Sequence, residues 1–218
     1  KAIVPVHLFG QCVEMEALMH LAKEHNLYII EDACQAIGAQ YTFSNGETKQ
    51  AGTMGHIGCT SFFPSKNLGC YGDGGAIFTN DDELAARMQA IANHGMVVRY
   101  HHDMIGVNSR LDSIQAAVLD AKLPHLDEYI AARQQAAAYY DNAFASNEKV
   151  LIPCRAPHST HVFHQYTLRV IGADRDSLRE GLAEKGIPAM IYHPAPLHQQ
   201  TAYLDPRYKE GDFPIAER

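Results

Sequence analysis

The 218-residue chain has no surplus of basic charge, no long apolar run and no paired cysteine spacing. Its 18 lysines and arginines stand against 25 acids, a net charge of -7, which argues against a surface built to hold nucleic-acid phosphates. No stretch approaches the roughly 18 apolar residues needed to span a bilayer, and the chain as given does not open on a basic-then-apolar leader. The five cysteines, Cys12, Cys34, Cys59, Cys70 and Cys154, are odd in number and widely spaced, so reduced thiols in a cytoplasm are expected rather than a disulfide framework. Low-complexity linkers and internal repeats are also missing. What remains is a chain with 46% apolar residues, expected to be soluble and globular with one or two domains.

Apolar spacing alternates between strand and helix along this chain. Ile3 to Val6 reads as a strand, Val13 to His25 as a helix with Met15, Leu18, Met19 and Ala22 on one stripe, and Leu27 to Ile30 as a second strand. Gly58 to Phe62 and Gly75 to Thr79 read as further strands, and Asn80 with Glu83 resembles a capping box opening a helix over Asp82 to Asn93. From Leu111 to about Phe144 the pattern is helical, with a break near Pro124. Tyr166 to Ile171 then reads as a strand, Asp176 to Lys185 as a helix ended by Gly186, and Ile187 to Tyr192 as another strand. Such alternation favours an α/β fold with a mainly parallel sheet.

Between two of these strand-like runs lies Ser61-Phe62-Phe63-Pro64-Ser65-Lys66-Asn67-Leu68-Gly69, followed by Gly72-Asp73-Gly74-Gly75. A lone loop lysine is ordinarily a solvated charge. In a desolvated loop, however, it can lose its proton and form an imine with a carbonyl compound. Asp32 supplies a second signal, because it sits at the carboxyl end of the Leu27 to Ile30 strand, where open parallel sheets bind ligands. Pyridoxal phosphate requires such a pair, a lysine for covalent attachment and an acid beside the pyridine nitrogen. Standing alone, Asp32 would sooner be read as a helix-capping or turn acid. The glycine cluster precedes a strand rather than a helix, unlike a dinucleotide-binding loop.

Three segments, Glu31 to Ala39, Ser61 to Ala76 and Gly106 to Ala117, together with flanking stretches from Pro5 to Gln11 and from Tyr192 to His198, resemble the sugar-nucleotide aminotransferases. These are pyridoxal-phosphate enzymes of the aspartate-aminotransferase fold. The resemblance implies that Lys66 holds the cofactor covalently, Asp32 pairs with its pyridine nitrogen, Gln35 reaches its phenolic oxygen and Ser61 binds its phosphate. It implies that Asn108 reaches the phosphate bound by a neighbouring subunit, so that a homodimer shares its active sites. Arg110 would face a carboxylate, of the amino donor or of an acidic sugar, which its planar fork suits. Tyr192, His193 and His198 would lie near the sugar nucleotide. Plain alternatives stand beside these roles: Ser61 and Gln35 as turn residues, Asn108 and Arg110 as solvated groups before a helix starting near Leu111.

Relative to the family pattern, residues 1–123 are expected to form part of the large cofactor-binding domain, and 124–218 the connecting helix and part of the small α/β domain. Both domains are expected to be incomplete, with a phosphate-holding loop and a ring-stacking side chain lacking upstream. The implied reaction moves an amino group, with glutamate as donor, to a keto group of a nucleotide-linked sugar in polysaccharide or amino-sugar biosynthesis. A dehydratase using the same cofactor and a non-catalytic regulatory module of the same fold are the alternatives. Related dehydratases carry histidine where this chain has Lys66, which favours transamination. Cys34 stands where the family has a small apolar residue and is expected to act as a buried small hydrophobe. His158, His161 and His164 recur at intervals of three, but no nearby cysteine or carboxylate completes a familiar ligand set. No structural metal is expected: elemental analysis of purified protein should find no stoichiometric zinc, and a one-to-one zinc content would contradict this.

Overall fold

The computed structural model of the chain describes residues 1–217. They divide into two compact units, one made of residues 1–147 with 152–168, the other of 148–151 with the segment from 169 onward. The first unit is organised by a four-stranded sheet in the order β1 (Ala2–Ile3), β2 (Tyr28–Asp32), β5 (Ile57–Ser61), β6 (Gly75–Phe78). β1, β2 and β5 run parallel, and β6 returns antiparallel beside β5. The parallel crossover from β1 to β2 is made by α1 (Met15–Glu24). As its sequence stripe predicts, α1 buries Met15 and Ala22, with Leu18 and Met19 packed against the same core.

Between β2 and β5 lies a small hairpin, β3 (Gln40–Thr42) with β4 (Thr48–Gln50), whose Tyr41 is fully buried. α2 (Asp82–Ala92) follows β6; its cap is Asp81, whose carboxylate accepts from Leu84 N–H at 2.9 Å, so the helix opens on the neighbour of the expected Asn80. After a short hairpin, β7 (Met96–Val98) with β8 (His101–His102), come α3 (Ser113–Lys122) and α4 (Leu126–Phe144). The Pro124 break falls as expected, in one tight helical turn at Leu123–His125. The expected strand over Ile3 to Val6 is split: β1 ends at Ile3, and pairing resumes as a single bridge from Val6 to Asp32. Pro5 stands in that gap and has no N–H for a ladder.

In the second unit β9 (Val150–Leu151) pairs antiparallel with β10 (Arg169–Val170), and α5 (Arg175–Glu184) is capped by Asp174, which accepts from Ser177 N–H at 2.7 Å. Gly186 ends that helix at φ +73°. The expected strand over Tyr166 to Ile171 shrinks to Arg169–Val170, the length its short partner can pair. The expected strand over Ile187 to Tyr192 does not form. Pro188 removes a donor there, and Ile187 and Met190 stay exposed, so the apolar run has no face to bury. Among the described residues no helix is long and apolar enough to cross a membrane.

The end of β2 is fixed by a buried carboxylate. Glu31, wholly shielded from solvent, accepts N–H bonds from Gly52 (2.8 Å), Met54 (2.6 Å) and Gly55 (2.5 Å) and a fourth from the ring of buried His7 (2.8 Å). His7 Nδ1 accepts from Val13 N–H at 3.3 Å, so the ring serves Glu31 as a neutral Nε2–H donor. Burial by itself raises the Glu31 carboxyl, yet the bonds from His7, Gly55, Gly52 and Met54 outweigh it and hold the group below its ordinary value. Its stabilisation is therefore complete above the usual carboxylate range and lost as pH falls through the lowered native value. Glu31→Ala, which strands three buried N–H groups and an imidazole, should lower unfolding free energy by about 3–5 kcal/mol in denaturant titrations; a loss below about 1 kcal/mol would show that the hub is dispensable.

Candidate active site

Alternation along the strands decides which side chains meet a ligand. On β2, Ile29 and Glu31 point into the core, while Ile30 and Asp32 point to the half-covered face. On β5 the half-covered positions are Ile57, Cys59 and Ser61. Because Asp32 and Cys59 are register partners, Asp32, Cys59 and Ser61 share one face at the carboxyl ends of adjacent parallel strands. The Asp32 carboxylate accepts from Cys34 N–H at 3.0 Å, which fixes the turn out of β2. Gln35 follows; its carbonyl oxygen accepts from Phe9 N–H at 2.6 Å, so the side-chain NH2 is the end left to donate elsewhere.

The lysine loop is a closed ring of backbone. Phe62 N–H bonds to Gly74 O (2.7 Å), its carbonyl accepts from Cys70 N–H (2.8 Å), and Lys66 N–H bonds to Phe63 O (2.8 Å). At its mouth the Ser61 hydroxyl accepts from Phe63 N–H at 3.2 Å, which leaves the O–H free to donate. α3 braces the ring from outside: Lys122 donates to Gly69 O at 2.7 Å, and Gln115 accepts from Tyr71 N–H at 2.7 Å. Gly69 is required by space, since a Cβ there would lie 2.5 Å from Pro64 O.

Lys66 itself is half-buried, and among the described residues no carboxylate stands within ion-pair distance of it. Its charge and that of Asp32 act on one common neighbour. The Cys34 thiol is pushed up to about 12 by burial and by Asp32, with Lys66 opposing. Lys66 and Asp32 thus act in opposite senses on the same sulfur. Cys34 is half-buried rather than enclosed as expected, because its neighbours on this face leave it partly open. It is a poor nucleophile there, being protonated at neutral pH.

Asn108 and Arg110 form a separate pair. Asn108 Oδ1 accepts from Arg110 Nε at 3.0 Å, both side chains are exposed, and Asp112 caps α3 just beyond them by accepting from Ile114 and Gln115 N–H. They line an open groove of about 1060 Å³ together with Cys59, Asp73, Phe78 and Met88; Lys66 is not among its walls. Tyr192, His193 and His198 belong to the second unit. There His193 packs edge-on against Tyr192, and His198 Nε2 bonds to Glu217 at 2.9 Å.

The evenly spaced histidines take three different surroundings. His158 pairs with Glu14 at 2.9 Å, His161 stacks on Phe163 with ring centres 3.9 Å apart, and His164 buries its Nδ1 without a hydrogen-bond partner while its carbonyl accepts from Arg133 at 3.2 Å. Glu31, His7, Asn67 and His164 stand out only with coordinates in hand. For Glu31 a sequence signal existed: a second acid inside an apolar strand, at a position that alternation sends inward.

A family model described as the DegT/DnrJ/EryC1/StrS aminotransferase family matches residues 1–218. The chain is 49% identical over 220 residues to a "Pleiotropic regulatory protein" of Geobacillus stearothermophilus, covering 100% of this chain and 57% of that protein. It is 45% identical over 218 residues to the UDP-2-acetamido-2-deoxy-3-oxo-D-glucuronate aminotransferase of Pseudomonas aeruginosa, covering 100% and 58%. Among solved structures, DesV of S. venezuelae in complex with a ketimine intermediate superimposes with a TM-score of 0.90 at 42% identity, over 99% of this chain and 56% of that one. The chain thus spans a little over half the length of the relatives it matches.

The tight ring around Lys66 makes a specific demand. Gly69→Ala must push the loop off Pro64 and should lower the unfolding free energy by about 1–3 kcal/mol in denaturant titrations; an unchanged value would contradict the packing described.

Proposed function

We propose, from the premise that this chain belongs to the DegT/DnrJ/EryC1/StrS aminotransferase family, that the full protein is a pyridoxal-phosphate-dependent aminotransferase acting on a nucleotide-linked keto sugar. In this reading glutamate is the amino donor and the product serves polysaccharide or related amino-sugar biosynthesis in the cytoplasm. The observation that carries it is the placement of Asp32, Cys59 and Ser61 on one face at the carboxyl ends of adjacent parallel strands, with the Lys66 loop following directly on Ser61. The relatives named as sugar-nucleotide aminotransferases, at 45% identity in the case of Pseudomonas aeruginosa, support it.

The donor set suits the cofactor. Lys66 has an amine without a carboxylate partner, Gln35 has a free NH2 for the phenolic oxygen, and Ser61 has a free O–H for a phosphate. Pyridoxal phosphate, when bound, supplies an electron sink at the substrate carbon. Asp32 would pair with the ring nitrogen and favour its protonated form, and Lys66 would hold the cofactor and serve as general acid and base at the substrate carbon. Asn108, whose carbonyl is taken by Arg110, presents its NH2 to a phosphate across a homodimer, and Arg110 offers its terminal nitrogens to a carboxylate. Tyr192, His193 and His198 complete the sugar-nucleotide side. In this assignment residues 1–123 are the cofactor-binding part and 124–218 the connecting helix and small-domain part.

A regulatory reading has one point in its favour, the name carried by the relative from Geobacillus stearothermophilus. Borohydride reduction of the full protein with pyridoxal phosphate, followed by peptide mapping, separates the two: the aminotransferase reading predicts a label on Lys66. Glutamate with a panel of keto-sugar nucleotides should then yield amino sugar, and Lys66→Ala should abolish turnover. Turnover that survives Lys66→Ala would remove the lysine from the chemistry.

A further inference from the structure

A reacting lysine carries its amine on a four-carbon stem, so the amine is only as well placed as the backbone from which that stem grows. The lysine loop closes on itself through backbone bonds, and α3 meets it at Gly69 and Tyr71. Beside Lys66 the hold comes from one side chain. Asn67, 7% exposed, donates from Nδ2 to Val162 O at 3.0 Å. Among the described residues no other side chain of residues 62–69 hydrogen-bonds outside the loop. The bond leaves Asn67 Oδ1 buried without a partner. A leucine of the same branched shape would fill the space and strand no acceptor, so packing alone does not account for an amide there.

The acceptor is held far more firmly than a connecting segment needs. Val162 N–H bonds to Gly10 O at 2.8 Å, and Gly10 permits the approach, since a Cβ there would meet Val162 Cγ2 at 2.9 Å. From α4, Arg133 donates to Phe163 O (3.0 Å) and His164 O (3.2 Å), and Gln134 donates to His161 O (3.0 Å). Phe163, at φ +46°, is kept in that uncommon conformation by its ring, which lies flat on His161, and by its N–H bond to His161 Nδ1 at 3.0 Å. Residues 161–164 thus form a strap with a fixed carbonyl at Val162. The segment that anchors this strap also holds the exit from β2, because Phe9, next to Gly10, donates its N–H to Gln35 Oε1 at 2.6 Å. A chain of hydrogen bonds therefore runs from Asn67 through Val162 and the Phe9 to Gly10 segment to Gln35, in the turn that follows Asp32 and Cys34.

We propose that Asn67 is a positioning residue for Lys66: its bond to the strap sets the lysine loop at a fixed spacing from the turn that carries Asp32 and Gln35. The inference rests on the aminotransferase reading and adds to it a residue given no contact with cofactor or substrate.

The test uses the full protein as wild type, Asn67→Leu and Asn67→Ala. Leucine keeps the volume and removes the donor, whereas alanine also opens a cavity. One readout is the rate at which Lys66 of the cofactor-free protein is labelled by pyridoxal phosphate with borohydride, followed by peptide mapping; the other is kcat and KM with a keto-sugar nucleotide. Asn67→Leu should melt at the wild-type temperature and label Lys66 to the same final extent. Its labelling rate and kcat should each fall about tenfold, with KM little changed, because misplacing a reacting group acts on rate rather than on substrate binding. Asn67→Ala should show the same losses while melting lower. Wild-type labelling rate and kcat in Asn67→Leu would overturn the proposal. So would losses that follow melting temperature from one variant to the other, or failure of both variants to fold, since either makes Asn67 a structural group alone. Absence of the Lys66 label in wild type would instead bring down the aminotransferase reading, and this inference with it.

Discussion

Four hydrogen bonds converging on the buried Glu31 carboxylate hold the architecture in register. They join β2, the Gly52 to Gly55 turn before β5 and the His7 turn after β1. An isolated carboxylate in the core would be prohibitively costly, and only this degree of satisfaction makes it tolerable. The strand's two-residue period then does the rest. With Glu31 directed inward, Asp32 must face outward, onto the surface shared by Cys59 and Ser61. A one-residue slip of β2 would exchange the two acids and destroy both roles.

Lys66 is held by different means. No strand carries it; a ring of backbone hydrogen bonds, braced by Lys122 and Gln115 of α3, sets its place. The strap around His164 is clamped from α4 and from Gly10. Two helices thus fix the loop that carries Lys66 and the strap that Asn67 joins to it. Such support is what preorganised sites require, because small displacements of a reacting group are expensive.

Much of this was legible in the sequence. The α1 stripe, the strand-end acid, the lysine between two strands and the Pro124 break all follow local rules of period and punctuation, and all appear in the structure. Ile187 to Tyr192 misled because an apolar run with a proline looks like an edge strand, while pairing depends on a partner that local pattern does not reveal. The cap at Asp81 rather than Asn80 is a one-residue error between two competent caps. Glu31 with His7, and Asn67 with Val162, were hidden for a different reason: their significance is set by neighbours 24 and 95 residues away in the chain. The regular spacing of His158, His161 and His164 marks no shared role, for the fold gives each different surroundings.

The account stands on Lys66 and Asp32 addressing opposite ends of one ring. A crystal structure of the full protein with pyridoxal phosphate tests that most directly. It should show the Lys66 amine bonded to the cofactor and the Asp32 carboxylate hydrogen-bonded to its pyridine nitrogen. Cofactor attached through another lysine, or a ring nitrogen facing any group but Asp32, would contradict it.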